Sequence, residues 1–254
     1  MSKRLAAIGS LFLLATGVAR ADIDARIYWG QRIEMGMAVS GVVEKMPVES
    51  GMRVKKGEML LSLEQTPFKT ALIEARAALA QASGARTEAR RDHAQTQELY
   101  DRGLISTVEL ENAKLKKEAS EAAYSAATAR VQRAQYELSR SVLHAPFDGL
   151  VLSKKVDVGQ TLISTQQSQT VLTFAAEGAY VARGQVDGKD VKNLSLGKKA
   201  TVKANGHTFT AAISSLGLEP VADSKPDKPR YEVIVKFHSS TVLLRAGAEA
   251  EISF

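Results

Sequence analysis

Two textures of apolar spacing alternate along the chain. Residues 33–64 carry short apolar runs broken at Gly41, Pro47, Gly51 and Gly57, which predicts brief strands joined by tight turns. From Pro67 to Ser141 the spacing becomes helical. Leu110, Ala113, Lys117, Ser120, Tyr124, Ala127, Val131, Ala134 and Leu138 recur alternately three and four apart, a seam suited to a coiled coil with small residues in close contact. This stretch holds 17 alanines and a single proline, Pro67, which stands at the helix start where a missing N–H does no harm.

Between the two helical stretches lies Asp101-Arg102-Gly103-Leu104-Ile105-Ser106-Thr107-Val108-Glu109. Gly103 suits a left-handed helix end, and Ser106 followed three residues later by Glu109 is a capping box that starts a second helix. The segment predicts a reversal, and at about 1.5 Å per residue the two helices make an antiparallel hairpin on the order of 50 Å long. Such a rod is too long to fold back over a small β-domain. It is expected to project, with a partner at its far end.

The first texture returns from His144 to Phe174 and overlays on the earlier copy. Gly41-Val42-Val43 matches Gly149-Leu150-Val151, Val48 matches Val156, Gly51 matches Gly159 and Val54 matches Leu162. Each copy is too small to bury its own apolar face, so the two are expected to close on each other as halves of one β-sandwich. From residue 175 the chain alternates again, as in Tyr231-Glu232-Val233-Ile234-Val235-Lys236-Phe237, with a short helix expected from Asp187 as N-cap and ending before Gly197. The predicted class is mixed α and β, elongated and multidomain. A lipoyl-like β-sandwich (33–66 plus 142–174) is split by the coiled-coil hairpin (67–141) and followed by a small β-barrel (175–254).

The first residues change the picture of where the protein works. Lys3 and Arg4 precede an apolar run from Leu5 to Ala15, and Ala19-Arg20-Ala21 follows as a small-x-small cleavage pattern, so residues 1–21 read as a secretory signal peptide. The alternative is an uncleaved anchor, although the run falls short of the ~20 residues of a spanning helix. Loss of Lys3, Arg4 and Arg20 from 34 basic residues leaves a net charge of only +3 against 28 acids, too weak to suggest nucleic-acid binding. The chain has no cysteine, which excludes disulfides, a thiolate nucleophile and a lipid anchor on an N-terminal cysteine, and suits an oxidising compartment.

With these parts in order, the chain resembles the HlyD-type periplasmic adaptor, or membrane fusion protein, family. Ser40-Gly41-Val42-Val43 through Val48-Glu49-Ser50-Gly51 to Leu61 is similar to the first lipoyl half-motif, and His144-Ala145-Pro146-Phe147-Asp148-Gly149-Leu150-Val151 with Val158-Gly159-Gln160 is similar to the second. The resemblance implies a non-catalytic periplasmic protein associated with the inner membrane. It would link an inner-membrane transporter of RND or ABC type to a TolC-type outer-membrane channel, with several copies around the path. It also implies docking through the hairpin tip, at Gln95, Leu99, Arg102, Gly103, Leu104, Ile105 and Ser106. Leu99 and Ser106 match two positions of the family's tip pattern; Gln95 stands where that pattern has arginine.

Two other functional classes fit parts of the sequence. Lipoyl and biotinyl carriers share the half-motif, but they need an acceptor lysine at the turn between the halves, where this chain has its helical insertion. A self-assembling coiled-coil surface protein would need no pump. His93, His144, His207 and His238 show no metal-ligand spacing, and Met35 and Met37 suit packing better than soft-metal binding. Asp148 beside Gly149 reads as turn chemistry, and neither a catalytic constellation nor a cofactor site emerges.

Overall fold

The computed structural model describes residues 22–164 and 169–254, so the proposed leader at 1–21 lies outside the described residues. The chain divides into two compact units, residues 31–177 and a second formed by the residues up to Gly30 with Gly178–Phe254. In chain order, β1 (Asp22–Trp29) belongs to the second unit, the next ten elements build the first, and the rest return to the second.

In the first unit, β2 (Arg32–Gly36), β3 (Gly41–Lys45), β4 (Arg53–Val54) and β5 (Met59–Leu63) lead into α1 (Thr66–Asp101) and α2 (Thr107–Arg140). The chain then returns through β6 (Val142–His144), β7 (Gly149–Lys154), β8 (Thr161–Leu162) and β9 (Thr170–Ala176). The strands form two four-stranded sheets, ordered β2-β9-β7-β4 and β6-β5-β3-β8. Exchanging each strand for its counterpart in the other repeat (β2 for β6, β3 for β7, β4 for β8, β5 for β9) converts one order into the other. The repeats are therefore interleaved, two strands from each in each sheet, rather than one sheet per repeat.

The backbone hydrogen bonds obey the same exchange. The Gly159 N–H donates to Val43 O (2.9 Å) and the Gly51 N–H to Val151 O (2.7 Å), while the Val43 N–H donates to Gln160 O (2.9 Å) and the Val151 N–H to Met52 O (3.0 Å). Gly51 and Gly159 take φ of +91° and +88°, a left-handed conformation that costs other residues energy, so the two turns need glycine. Inside, Val48 matches Val156 and Val43 matches Val151 among fully buried residues, with Leu60, Leu61, Leu63, Leu172 and Phe174 completing the core. Lys154 ties the two equivalent turns together, its ammonium 2.9 Å from Glu49 and 3.2 Å from Asp157; these carboxylates, Glu49 foremost, raise its pKa.

The second unit is a closed six-stranded barrel in the order β1-β10-β13-β12-β11-β14. Its remaining strands are β10 (Ala179–Asp187), β11 (Lys199–Ala204), β12 (His207–Pro220), β13 (Arg230–His238) and β14 (Glu249–Ser253). Closure depends on β1, which pairs antiparallel with both β10 and β14 and sends Ala25 and Ile27 inward to join Tyr180, Val202, Val235 and Ile252. The sequence reading starts the barrel at residue 175 and misses this strand, whose partners lie far along the chain. The expected helix after Asp187 is also corrected: the segment holds one 3-10 turn, Val191–Asn193, with Asp190 at the N-cap position but no side-chain cap. Asn205 (φ +47°) and Gly206 (φ +76°) make the tight turn between β11 and β12, the pairing expected of an Asn-Gly hairpin.

Phe174 is fully buried, with its ring 5.1 Å from that of Phe147. Phe174→Ala leaves a cavity at the centre of the sandwich and is expected to cost about 3–5 kcal/mol, read as a lowered urea midpoint at unchanged slope.

Candidate functional site

The ends of the helical insertion are held together before the helices begin. The Leu63 N–H donates to Ser141 O (2.8 Å), and Ser141, wholly buried, turns its hydroxyl onto Leu138 O (2.7 Å). Phe68 packs against the sandwich core, and just beyond it Leu72, Val131 and Ala134 form the base of the helix pair with Ala75, Leu79 and Leu138. All nine seam positions of α2 read from the sequence are buried or half-buried. Further out the contacts become small and polar. Ala89, Ala113 and Ala127 are buried, and the Arg86 guanidinium lies 3.5 Å over the Tyr124 ring.

Ion pairs between the helices set their register. The Arg90 Nε–H donates to Glu121 (2.9 Å) and the Lys116 ammonium to Asp92 (3.0 Å); the Asp92 carboxylate raises the Lys116 pKa. Such exposed pairs add little stability but make one alignment better than its neighbours. No helix among the described residues is long and apolar enough to cross a membrane.

At the far end the reversal is fully specified by backbone chemistry. Gly103 (φ +74°) lets its own N–H reach Tyr100 O (2.8 Å) and the Leu104 N–H reach Leu99 O (2.9 Å), which closes α1 as a Schellman motif with Arg102 at the cap. Ser106 then opens α2. Its side chain accepts from the Glu109 N–H (3.3 Å), and the Glu109 carboxylate accepts from the Ser106 N–H (2.9 Å). Donation to that carboxylate from the Ser106 N–H first, and then from the Ser106 hydroxyl (3.0 Å), holds the Glu109 pKa below the usual glutamate value.

The structure thus brings Arg102, Gly103, Leu104, Ile105 and Ser106 into one turn. Leu99 lies on the last turn of α1, and Gln95 is exposed one turn further back. Leu104 is 66% exposed, whereas Ile105 is half-buried and Ser106 is committed to the cap. Sequence reasoning missed Tyr100 and Val108, both exposed, the latter at 68%. Val108 stands two positions before the seam residue Leu110, which places it on the outward face, and that offset was its signal. Leu99, Tyr100, Leu104 and Val108 make an apolar end to a charged rod, the kind of surface that marks a contact.

Elsewhere the described residues offer little chemistry. No three His, Asp or Glu side chains among them converge as a metal-binding set. The barrel carries an open concavity of about 1090 Å³ with Asp22, Asp24, Arg26, Arg183, Glu249 and Glu251 among its walls, a mixture of charges without a convergent reactive group.

Residues 32–176 match the CzcB-like, barrel-sandwich hybrid domain. The chain is 28% identical over 240 residues to the macrolide export protein MacA of Yersinia pestis, covering 88% of this chain and 64% of that protein. It is 36% identical over 126 residues to the multidrug resistance protein MdtA of Shigella boydii, covering 50% of this chain and 30% of that protein. Among solved structures, the membrane fusion protein Spr0693 of Streptococcus pneumoniae aligns with a TM-score of 0.71 at 14% identity, over 91% of this chain and 97% of its own. A MacA-MexA chimera carrying the Pseudomonas aeruginosa MexA α-hairpin aligns with a TM-score of 0.66 at 24% identity, over 92% of this chain and 78% of its own. At these identities the structural likeness establishes the fold.

The capping box makes the tip sensitive to acid. A depressed carboxylate stabilises the folded state above the ordinary glutamate pKa and loses that contribution as pH falls through the depressed value. Between neutral pH and about pH 3, thermal melts followed by helix ellipticity are expected to shift down less in Glu109→Gln than in the parent, because only the parent has this carboxylate to protonate.

Proposed function

The chain belongs to the CzcB-like barrel-sandwich hybrid domain family, and from that premise we propose that it is the adaptor subunit of an export system. It works in the periplasm beside the inner membrane, where its sandwich and barrel engage a transporter of RND or ABC type. Its helical hairpin meets a TolC-type outer-membrane channel. Several copies surround the transport path, and the protein performs no catalysis itself.

One observation carries this reading: the helical pair is inserted at the point where the two sandwich halves meet, and it ends in exposed Leu104 and Val108 on a rigidly capped turn. A carrier domain presents its modified lysine at that same point, and here Leu63 and Ser141 are hydrogen-bonded to each other with the helices leaving between them. The export function named for the macrolide and multidrug relatives supports the same conclusion, although the chain spans 64% and 30% of their lengths.

Docking by an apolar end has a measurable signature. Truncating or charging a central contact residue costs 2 kcal/mol or more, roughly 30-fold in affinity. Leu104→Asp is therefore expected to abolish export in a cell that depends on this protein, with helix ellipticity unchanged. A photo-crosslinker at Leu104 should capture an outer-membrane channel. Undiminished export in Leu104→Asp, or capture only of further copies of this chain, would remove the tip from the mechanism.

A further inference from the structure

Two turns that the internal duplication makes equivalent satisfy the same backbone amide with different chemistry. In the first repeat Glu49-Ser50-Gly51-Met52 closes with the Met52 N–H on Glu49 O (3.1 Å), and in the second Asp157-Val158-Gly159-Gln160 closes with the Gln160 N–H on Asp157 O (3.2 Å). Both carry glycine with positive φ at the third position, as a type II turn requires. In each, the last side chain folds back onto the N–H of the first residue. Gln160 Oε1 accepts from the Asp157 N–H at 3.3 Å, and Met52 Sδ accepts from the Glu49 N–H at 3.1 Å.

A thioether sulfur is the weaker acceptor of the two. Addition of one oxygen reverses that. Methionine sulfoxide carries its oxygen on Sδ, the same branch point at which glutamine carries Oε1 on Cδ, with a methyl in place of the amide nitrogen. Oxidised Met52 therefore has the outline and the acceptor of Gln160, and the second repeat shows where such an oxygen goes. The sulfur has to draw back from the Glu49 N–H to admit it, and an unbranched side chain that is 41% exposed has room to do so.

Met52 also stands apart from the other methionines among the described residues. Met37 is 8% exposed within the sandwich core, Met35 and Met46 pack against that core, and Met59 is half-buried. Oxidation of any of these would set a polar sulfoxide against apolar neighbours. An oxidant in solution meets Met52 first, at the position where the product is accommodated. The absence of cysteine leaves methionine as the oxidisable sulfur of this chain.

We propose that Met52 is a site of reversible oxidation by a peroxide, at which the sulfoxide takes over the turn hydrogen bond and the sandwich survives the modification. The sulfur attacks one peroxide oxygen, the O–O bond breaks and an S–O bond forms. The departing hydroxide takes the proton left on the new oxygen and leaves as water. Sulfur gives up two electrons and the peroxide accepts them. This goes beyond the adaptor reading, which rests on the hairpin and its tip, and stands or falls separately from it.

The test is limited hydrogen peroxide treatment of the full chain, followed by peptide mass mapping and by amide hydrogen exchange read by NMR. Met52 sulfoxide is expected to accumulate before any at Met35, Met37, Met46 or Met59, and the two methionine sulfoxide reductases, one for each epimer, are expected to remove it. A hydrogen bond is worth roughly a two- to ten-fold change in an equilibrium, so exchange at the Glu49 amide is expected to slow by about that factor in the oxidised protein. Met52→Gln without oxidant is expected to match it, with the Asp157 amide unchanged in both. Met52→Leu, which has no acceptor, is expected to exchange faster at Glu49 than the parent and not to respond there to peroxide. Sulfoxide that appears first at a packed methionine, or that the reductases leave in place, overturns the proposal. So does exchange at Glu49 that is unchanged or faster once Met52 is oxidised.

Discussion

Everything distinctive about this chain follows from the interleaving of two short β-repeats. Neither repeat can bury its apolar face, and because each sheet takes two strands from each, neither sheet exists until both repeats are present. The closure brings the end of the first repeat beside the start of the second, where the Leu63 N–H meets Ser141 O. Whatever sequence is inserted between them must leave and return at one point. An α-helical insertion under that constraint is an antiparallel hairpin, and its length is free to vary without disturbing the core that anchors it.

The two parts are stabilised differently as a result. The sandwich rests on large, fully buried side chains such as Phe174, Leu60, Leu61 and Leu172, each worth about 1.5–3 kcal/mol of burial. Above its base, the hairpin buries mainly alanine methyls, which bury far less apolar area per residue. It relies instead on residues that favour helix intrinsically and on end caps worth about 0.5–2 kcal/mol each. Gly84 works against this by up to about 1 kcal/mol in a helix interior. Nothing lies within 4 Å of where a Cβ at Gly84 would stand, so no packing contact there requires glycine.

The sequence made the local devices legible because each is a short pattern with one physical solution. The matched glycines at 51 and 159, and the Ser106–Glu109 box, are of this kind. Asn205-Gly206 was equally readable and was passed over. What stayed hidden was pairing at long range. Nothing within Asp22–Trp29 says that its partners are β10 and β14, and a duplication does not reveal whether its copies form one sheet each or share both. The expected helix after Asp187 failed because the N-cap signal was followed by Gly188, and the chain turned only at Asp190. At the tip, attention to the inward seam from Leu110 left Val108, two positions before it and exposed, unread.

The centre of the inner seam is polar where a maximally stable coiled coil would be apolar. Arg86, with Nε buried and without a hydrogen-bond partner, is held over the face of Tyr124, and Lys117 and Ser120 occupy neighbouring seam positions. The cation over the ring offsets part of the desolvation cost, yet leucine at that position would bury more area with no orphaned donor. A polar group in a coiled-coil seam is best attested as a device for register, because sliding by a turn would strip it of its partner. Register is what this hairpin needs: a slip of one helix would tilt the capped turn that presents Leu104. Stability given up at Arg86 thus fixes the geometry of the tip.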